Sequence, residues 1–255
     1  MIDAKRICFL STPRTGSTAA VRYTTQLLEN KYPAEMAMDL YEVLDPFHFD
    51  SPLKLLTPFT NSIVSVVLKD ESKDKLGAHI TYDQKREHLQ KIFKDVNSHQ
   101  PLVMKIFPIE LFPDWFGQDV NLARRAGFRF VHLTRNLTDQ IVSHALAVYT
   151  GVWNLFSRNT HLPDSVTLPL TIVAQSCNTV LRLRSRCEDL VKALDPDIPV
   201  IDYASFEQSL CSLLDVSPPS RITEYPVKLV ANHAETIENY SDCLLVIRKI
   251  LEHSK

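Results

Sequence analysis

Two groups of residues in this chain have the types and spacing for anion chemistry. The first is Thr12-Pro13-Arg14-Thr15-Gly16-Ser17-Thr18. Arginine brings a permanent charge and a planar fork of donors that matches phosphate oxygens. Gly16 lets the chain turn through positive φ. Ser17 and Thr18 open a helix, whose first N–H groups are unpaired and carry partial positive charge. The second group is Arg135 with Ser143. Arg135 ends an apolar run, and Ser143 lies about two turns into the helix that follows. An arginine at a strand's carboxyl end stands where open α/β sheets bind ligands. It can grip a phosphate on two oxygens while the serine hydroxyl adds a third donor. Taken singly, each group also fits a blander role. The first fits an ordinary strand–turn–helix with a surface arginine. In the second, Arg135 would cap the helix or pair with Asp139 one turn on.

The elements that must position these residues follow from apolar patterning. Ile7 to Leu10 is short and apolar enough for a buried strand, and Thr12-Pro13 ends it, because proline has no N–H for a ladder. Ala20, Val21, Thr24, Leu27 and Leu28 then recur at helical spacing. Ala34 to Phe49 mixes acids with apolar residues and stops at Pro46. Ile63 to Leu68 fits a strand or a short buried helix equally. Thr81 to Ser98 reads as an amphipathic helix. Pro101 to Phe107 reads as a second core strand, followed by a helix to Arg125 with Gly127 as its cap. Phe128 to Thr134 is β-branched and aromatic, a third strand, and Arg135 to Tyr149 a helix. Gly151 to Thr167 reads as a loop, Leu168 to Leu194 as a long helix with Arg182, Arg184 and Arg186 on it. Pro199 to Tyr203 reads as a fourth strand, Ser205 to Leu214 as a helix, and Glu235 to His253 as a closing helix. Strands alternating with helices predict parallel pairing. After Pro218-Pro219 only about one helix remains, so the reading is one domain over 1–255.

Bulk properties limit the function classes. A chain of 255 residues with 45% hydrophobic content can bury a full core. The net charge of −2 favours neither nucleic acid nor an anionic membrane, so any anion site must be local. No apolar run approaches the ~20 residues of a membrane span. Met1 to Arg6 is polar and runs into the first strand, which predicts no signal peptide. The five cysteines are scattered, with no Cys-x-x-Cys pair, so neither a zinc site nor a disulfide framework is expected. Cys8 and Cys243 sit in apolar runs and read as core. Together these features predict a cytoplasmic protein, in which the sequons at Asn136 and Asn239 are silent.

The Arg14 loop is not a Walker A loop: it lacks the first glycine, and no lysine precedes the hydroxyl pair. Pro13-Arg14-Thr15-Gly16-Ser17-Thr18 instead resembles the 5′-phosphosulfate loop of sulfotransferases, which use 3′-phosphoadenosine 5′-phosphosulfate (PAPS). Arg135 with Ser143 resembles the strand-end arginine and helix serine that bind the 3′-phosphate in that family. Both occur in the family's order, and the pattern looks most like the bacterial carbohydrate and nodulation-type members and related viral or environmental ones. The resemblance implies a single P-loop-like, three-layer α/β domain, with a central, mostly parallel sheet flanked by helices. It implies PAPS as co-substrate, adenosine 3′,5′-bisphosphate (PAP) as product, and no metal. The acceptor is a small-molecule or glycan hydroxyl, most simply a carbohydrate. On this resemblance Pro13, Arg14, Thr15, Gly16, Ser17, Thr18, Arg135, Ser143 and Tyr203 bind the cofactor, and Lys228 is a further candidate beside the reading of an ordinary surface lysine. Glu42 and Lys105 are the catalytic candidates, and Ile237-Glu238-Asn239-Tyr240 matches a late family segment. The chain departs from the cytosolic hormone-type enzymes at Phe107, where their histidine base would stand, and it lacks their glycine-rich adenine loop.

Sulfuryl transfer needs the bisphosphate neutralised, donors on the sulfuryl oxygens, and a base for the acceptor hydroxyl. Glu42 fits the base, with Glu35, Asp39, Asp45 and His48 as rivals; His132 lies inside a strand and reads as core or support. Lys105 can aim at the sulfuryl or bridging oxygens, or snorkel to solvent. Tyr149, Trp153, Phe156 and Arg158 are candidates for the acceptor pocket. Two other readings stay open. One is a P-loop-like nucleotide kinase or phosphotransferase, which would need Mg²⁺. The other is a non-catalytic module that binds the bisphosphate without turnover.

Overall fold

The computed structural model describes residues 5–33, 37–41, 87, 90, 101–108, 115–151, 164–219 and 233–253. Among them five strands form one sheet: β1 (Arg6–Leu10), β2 (Met38–Tyr41), β3 (Leu102–Ile106), β4 (Arg129–Thr134) and β5 (Val200–Asp202). Their order is β2-β3-β1-β4-β5 and every pairing is parallel. β1 is therefore central, with Ile7 opposite Val103 on one side and Arg129 on the other.

The helices are α1 (Ser17–Lys31), α2 (Trp115–Arg125), α3 (Leu137–Thr150), α4 (Leu170–Leu194), α5 (Phe206–Leu214), α6 (His233–Thr236) and α7 (Tyr240–His253). The period-2 alternation of β1 decides which helices cover which face. Ile7 and Phe9 point into a core with α1 and α5, through Val21, Leu27, Leu28, Phe206 and Leu210. Cys8 and Leu10 point the other way, against Phe116, Val120 and Ala123 of α2 and Cys187 and Val191 of α4. The result is helix, sheet, helix: the expected three-layer α/β architecture. A third apolar cluster joins α3, the first half of α4 and α7 through Ile141, Val142, Val173, Cys177, Cys243 and Ile247. Strands buried on both faces explain why their sequences read as apolar runs rather than alternations.

The sequence and the structure differ in two places. The mixed segment at Ala34 to Phe49 contains a strand, β2. It is an edge strand of four residues with a register irregularity between Asp39 and Tyr41, too short for its period to rise above the acids around it. The closing helix is broken. Ile237 forms a parallel bridge with Val166, and Leu168 exchanges two 2.9 Å hydrogen bonds with the Asn239 side chain. These contacts stop α6 and start α7. The segments at Ile63 to Leu68, Trp153 to Arg158 and Lys228 lie outside the described residues, and no described helix is long and apolar enough to cross a membrane.

Candidate anion-binding site

The loop after β1 turns sharply. Thr15 donates twice to the Thr12 carbonyl, through N–H at 3.3 Å and through its hydroxyl at 2.9 Å. Arg14 and Gly16 both take left-handed backbone conformations, with φ of 67° and 87°. Gly16 then caps α1, its carbonyl accepting from Ala19 and Ala20. Glycine is needed there for two reasons. Positive φ disfavours any β-carbon, and one at this position would stand 2.1 Å from Tyr203 Cε2.

The second sequence group meets the first. Arg14 Nε donates to Ser143 Oγ at 3.0 Å, and Arg135 donates to the Arg14 carbonyl at 3.1 Å. Gln140, on the same face of α3 as Ser143, donates to Thr12 Oγ1 at 2.6 Å and to the Pro13 carbonyl at 2.7 Å. Arg184 of α4 donates to the Arg135 carbonyl at 3.2 Å and pairs with Glu188 at 2.8 Å. Asn136 starts α3 by accepting from Asp139 N–H. Thus Arg14, Arg135 and Ser143, distant in sequence, form one cluster at the carboxyl ends of the central strands. That is where an open parallel sheet places its ligands.

Tyr203 holds the other side. Its ring stacks on Phe206 with centroids 5.2 Å apart, and the Arg135 guanidinium lies 5.3 Å from its centroid. With Phe206 and Arg135 packed on it, the ring acts here as a wall over Gly16 and a rest for Arg135. Beyond it opens a cleft of about 930 Å³ lined by Tyr23, Arg135, Asp139, Tyr203, Phe206 and Cys211, among others. On the opposite side of the loop, Lys105 is buried on β3 and donates to Thr18 Oγ1 at 2.7 Å. It points inward rather than snorkelling. Pro13, Thr15 and Ser17 lie in the loop and the first turn of α1, with Thr15 and Ser17 buried.

Two basic groups of the cluster are held below their ordinary pKa values. Burial, then the neighbouring Arg135, lowers the Arg14 guanidinium to about 10. His233 is also held below its ordinary value, mainly by burial and then by Arg135; Asp139 opposes this and Arg14 adds to it. Sequence reasoning missed His233, Gln140 and the Arg184 brace. Only Gln140 had a readable signal, lying one turn before Ser143. His132 is buried and held below its usual range by burial, between Glu188 and Arg184, which makes it a support rather than a site residue. Tyr149 is exposed at the end of α3. Asp39 lies on β2 opposite Val103. Glu42, Glu35, Asp45, His48 and Lys228 are outside the described residues, as are Trp153, Phe156 and Arg158. Among the described residues no three His, Cys, Asp or Glu side chains converge to hold a metal ion.

No protein-family model matches the chain, and no curated protein matches it by sequence. Among solved structures it is similar to a crystal structure of retinol dehydratase in complex with androsterone and the inactive cofactor PAP. The two are 14% identical with a TM-score of 0.41, over 95% of this chain and 71% of that one. At that level of likeness the fold is read from this chain's own sheet and loop.

Proposed function

We propose that the protein is a PAPS-dependent sulfotransferase, moving a sulfuryl group to the hydroxyl of an acceptor, most simply a carbohydrate. The observation that carries this reading is the convergence of Arg14, Arg135 and Ser143 beside a glycine turn at the start of α1. Two guanidiniums within one cluster repel each other unless an anion lies between them, and a bisphosphate supplies two. The loop N–H groups, Ser17 and Thr18 would hold the 5′-phosphate. Arg135 and Ser143 would hold the 3′-phosphate, with Arg14 between the two ends. Tyr203 and Lys228 complete the cofactor set.

PAPS supplies the activated sulfur–oxygen bond. The acceptor oxygen attacks sulfur, the bond to the 5′-phosphate breaks, and PAP leaves. Lys105, already beside Thr18, would offer its ammonium to the oxygen that gains charge. Glu42 would take the acceptor proton. This chemistry needs positioning and charge neutralisation, and no metal enters it.

Isothermal calorimetry tests the reading. Adenosine 3′,5′-bisphosphate should bind about tenfold or more tightly than AMP, since a charge-assisted contact is worth ~1.5–3 kcal/mol. Equal affinities would remove Arg135 and Ser143 from the site. Dependence of turnover on Mg²⁺ would favour phosphoryl transfer instead.

A further inference from the structure

The Arg14–Ser143 bond is not the only tie between the loop and α3, for Gln140 makes two more. Gln140 is 1% exposed. Its single NH₂ group donates to both Thr12 Oγ1 and the Pro13 carbonyl, while its Oε1 is buried with no hydrogen-bond partner. A buried amide that leaves its acceptor unsatisfied loses free energy there. Its orientation is therefore set by its two donors, and both go to the residues just before Arg14. Arg14 has a left-handed backbone, φ 67°, without being glycine. Such a conformation persists only where surrounding contacts over-determine it. The contacts on this turn come from the β4–α3 corner. Gln140 fixes residues 12 and 13, Arg135 fixes the carbonyl of residue 14, and Ser143 receives its Nε.

We infer that Gln140 is a positioning residue, which holds the Thr12–Pro13 backbone so that the strained turn aims the Arg14 guanidinium at Ser143 and the bound anion. It touches no reacting atom and acts through Arg14. One consequence is that α3 carries one device rather than two. Ser143 and Gln140, one turn apart, receive the Arg14 side chain and hold its backbone. The affinity arm of the test below rests on the sulfotransferase reading; the spectroscopic arm does not.

Gln140→Met keeps the volume and removes the donors. With the fold verified by circular dichroism, the Arg14 Nε–H resonance, identified by its loss in Arg14→Ala, should lose its protection from solvent exchange. Affinity for adenosine 3′,5′-bisphosphate should fall about tenfold, the effect of one or two neutral hydrogen bonds. In an Arg14→Ala background Gln140→Met should cost little more, because the two act as a unit. A folded Gln140→Met protein with a protected Arg14 Nε–H would overturn the inference, as would full additivity with Arg14→Ala. If Gln140→Met fails to fold, Thr12→Val removes one acceptor from the other side and is judged by the same readouts. Failure of the wild type to bind the bisphosphate would count against the sulfotransferase reading alone, leaving the Nε–H result to decide the role of Gln140.

Discussion

At the scale of single residues, the cluster brings basic groups together in buried surroundings. Arg14 is buried beside Arg135, which lowers it to about 10. A basic group with a lowered folded pKa is destabilising while charged, and the cost is relieved only above pH 10. His233 makes the same point in an accessible range. Its folded pKa lies below 6.5 because of burial and Arg135, with Asp139 opposing and Arg14 adding. The unfolded chain therefore binds more protons near and below pH 6.5, so this group's contribution to stability falls as pH drops through that value. An anion on Arg135 would cancel part of the positive field and raise the His233 pKa. In the saturated complex the His233 ring should then titrate at a higher pH than in the free protein. An NMR titration of the His233 ring with and without bisphosphate reads this directly. An unchanged pKa in the saturated complex would mean that no phosphate sits beside Arg135.

At the scale of elements, the parts that were legible in the sequence are those whose residues face one environment along their whole length. β1 and β3 are buried on both faces, as β4 is at Val131 to Leu133, and their apolar runs gave their places within a residue or two. α1 and α4 carry one buried stripe each, and α3 is buried all round from Gln140 to Ala147. What stayed hidden depends on partners remote in sequence. β2 is a strand because β3 offers it an edge. The break between α6 and α7 exists because Val166 and Leu168 come from elsewhere to take Ile237 and Asn239. The same holds in the site: types and spacing singled out Arg14, Arg135 and Ser143, but that Arg14 reaches Ser143, or that Tyr203 lies against Gly16, needs the sheet order. The Asn239 clamp can be tested as an element boundary. Asn239→Ala leaves the N–H and carbonyl of buried Leu168 without their side-chain partner. Each unmade bond costs ~1–3 kcal/mol, so denaturant unfolding should show a loss of about 2 kcal/mol or more. Asn136→Ala, which deletes only the Oδ1 cap of α3, should cost ~1 kcal/mol. Equal, small losses for both would mean that the Leu168 pairing does not hold the two segments together.

At the scale of the whole molecule, four parts of the site hang from the carboxyl edge of one sheet. The loop leaves β1, Lys105 sits on β3, Arg135 follows β4 and Tyr203 follows β5. The chain order of these strands differs from their order in the sheet, β1 lying between β3 and β4. A ligand that bridges the loop, Lys105 and Arg135 would therefore tie together segments from most of the chain. If 1–255 folds as one domain, such a ligand must stabilise all of it. Heating should give one cooperative transition, and bisphosphate at ~100 times its dissociation constant should add ~2.7 kcal/mol to the unfolding free energy. For a chain of this size that is a rise of roughly 5–10 °C in Tm. AMP at the same concentration should give less, because it leaves Arg135 and Ser143 without a phosphate, and EDTA should change nothing. Scanning calorimetry separates the outcomes. Two transitions of which only one moves would divide the chain into independent units, with the site belonging to one. A single transition that EDTA lowers would require a metal, and with it a different chemistry at the Arg14 loop.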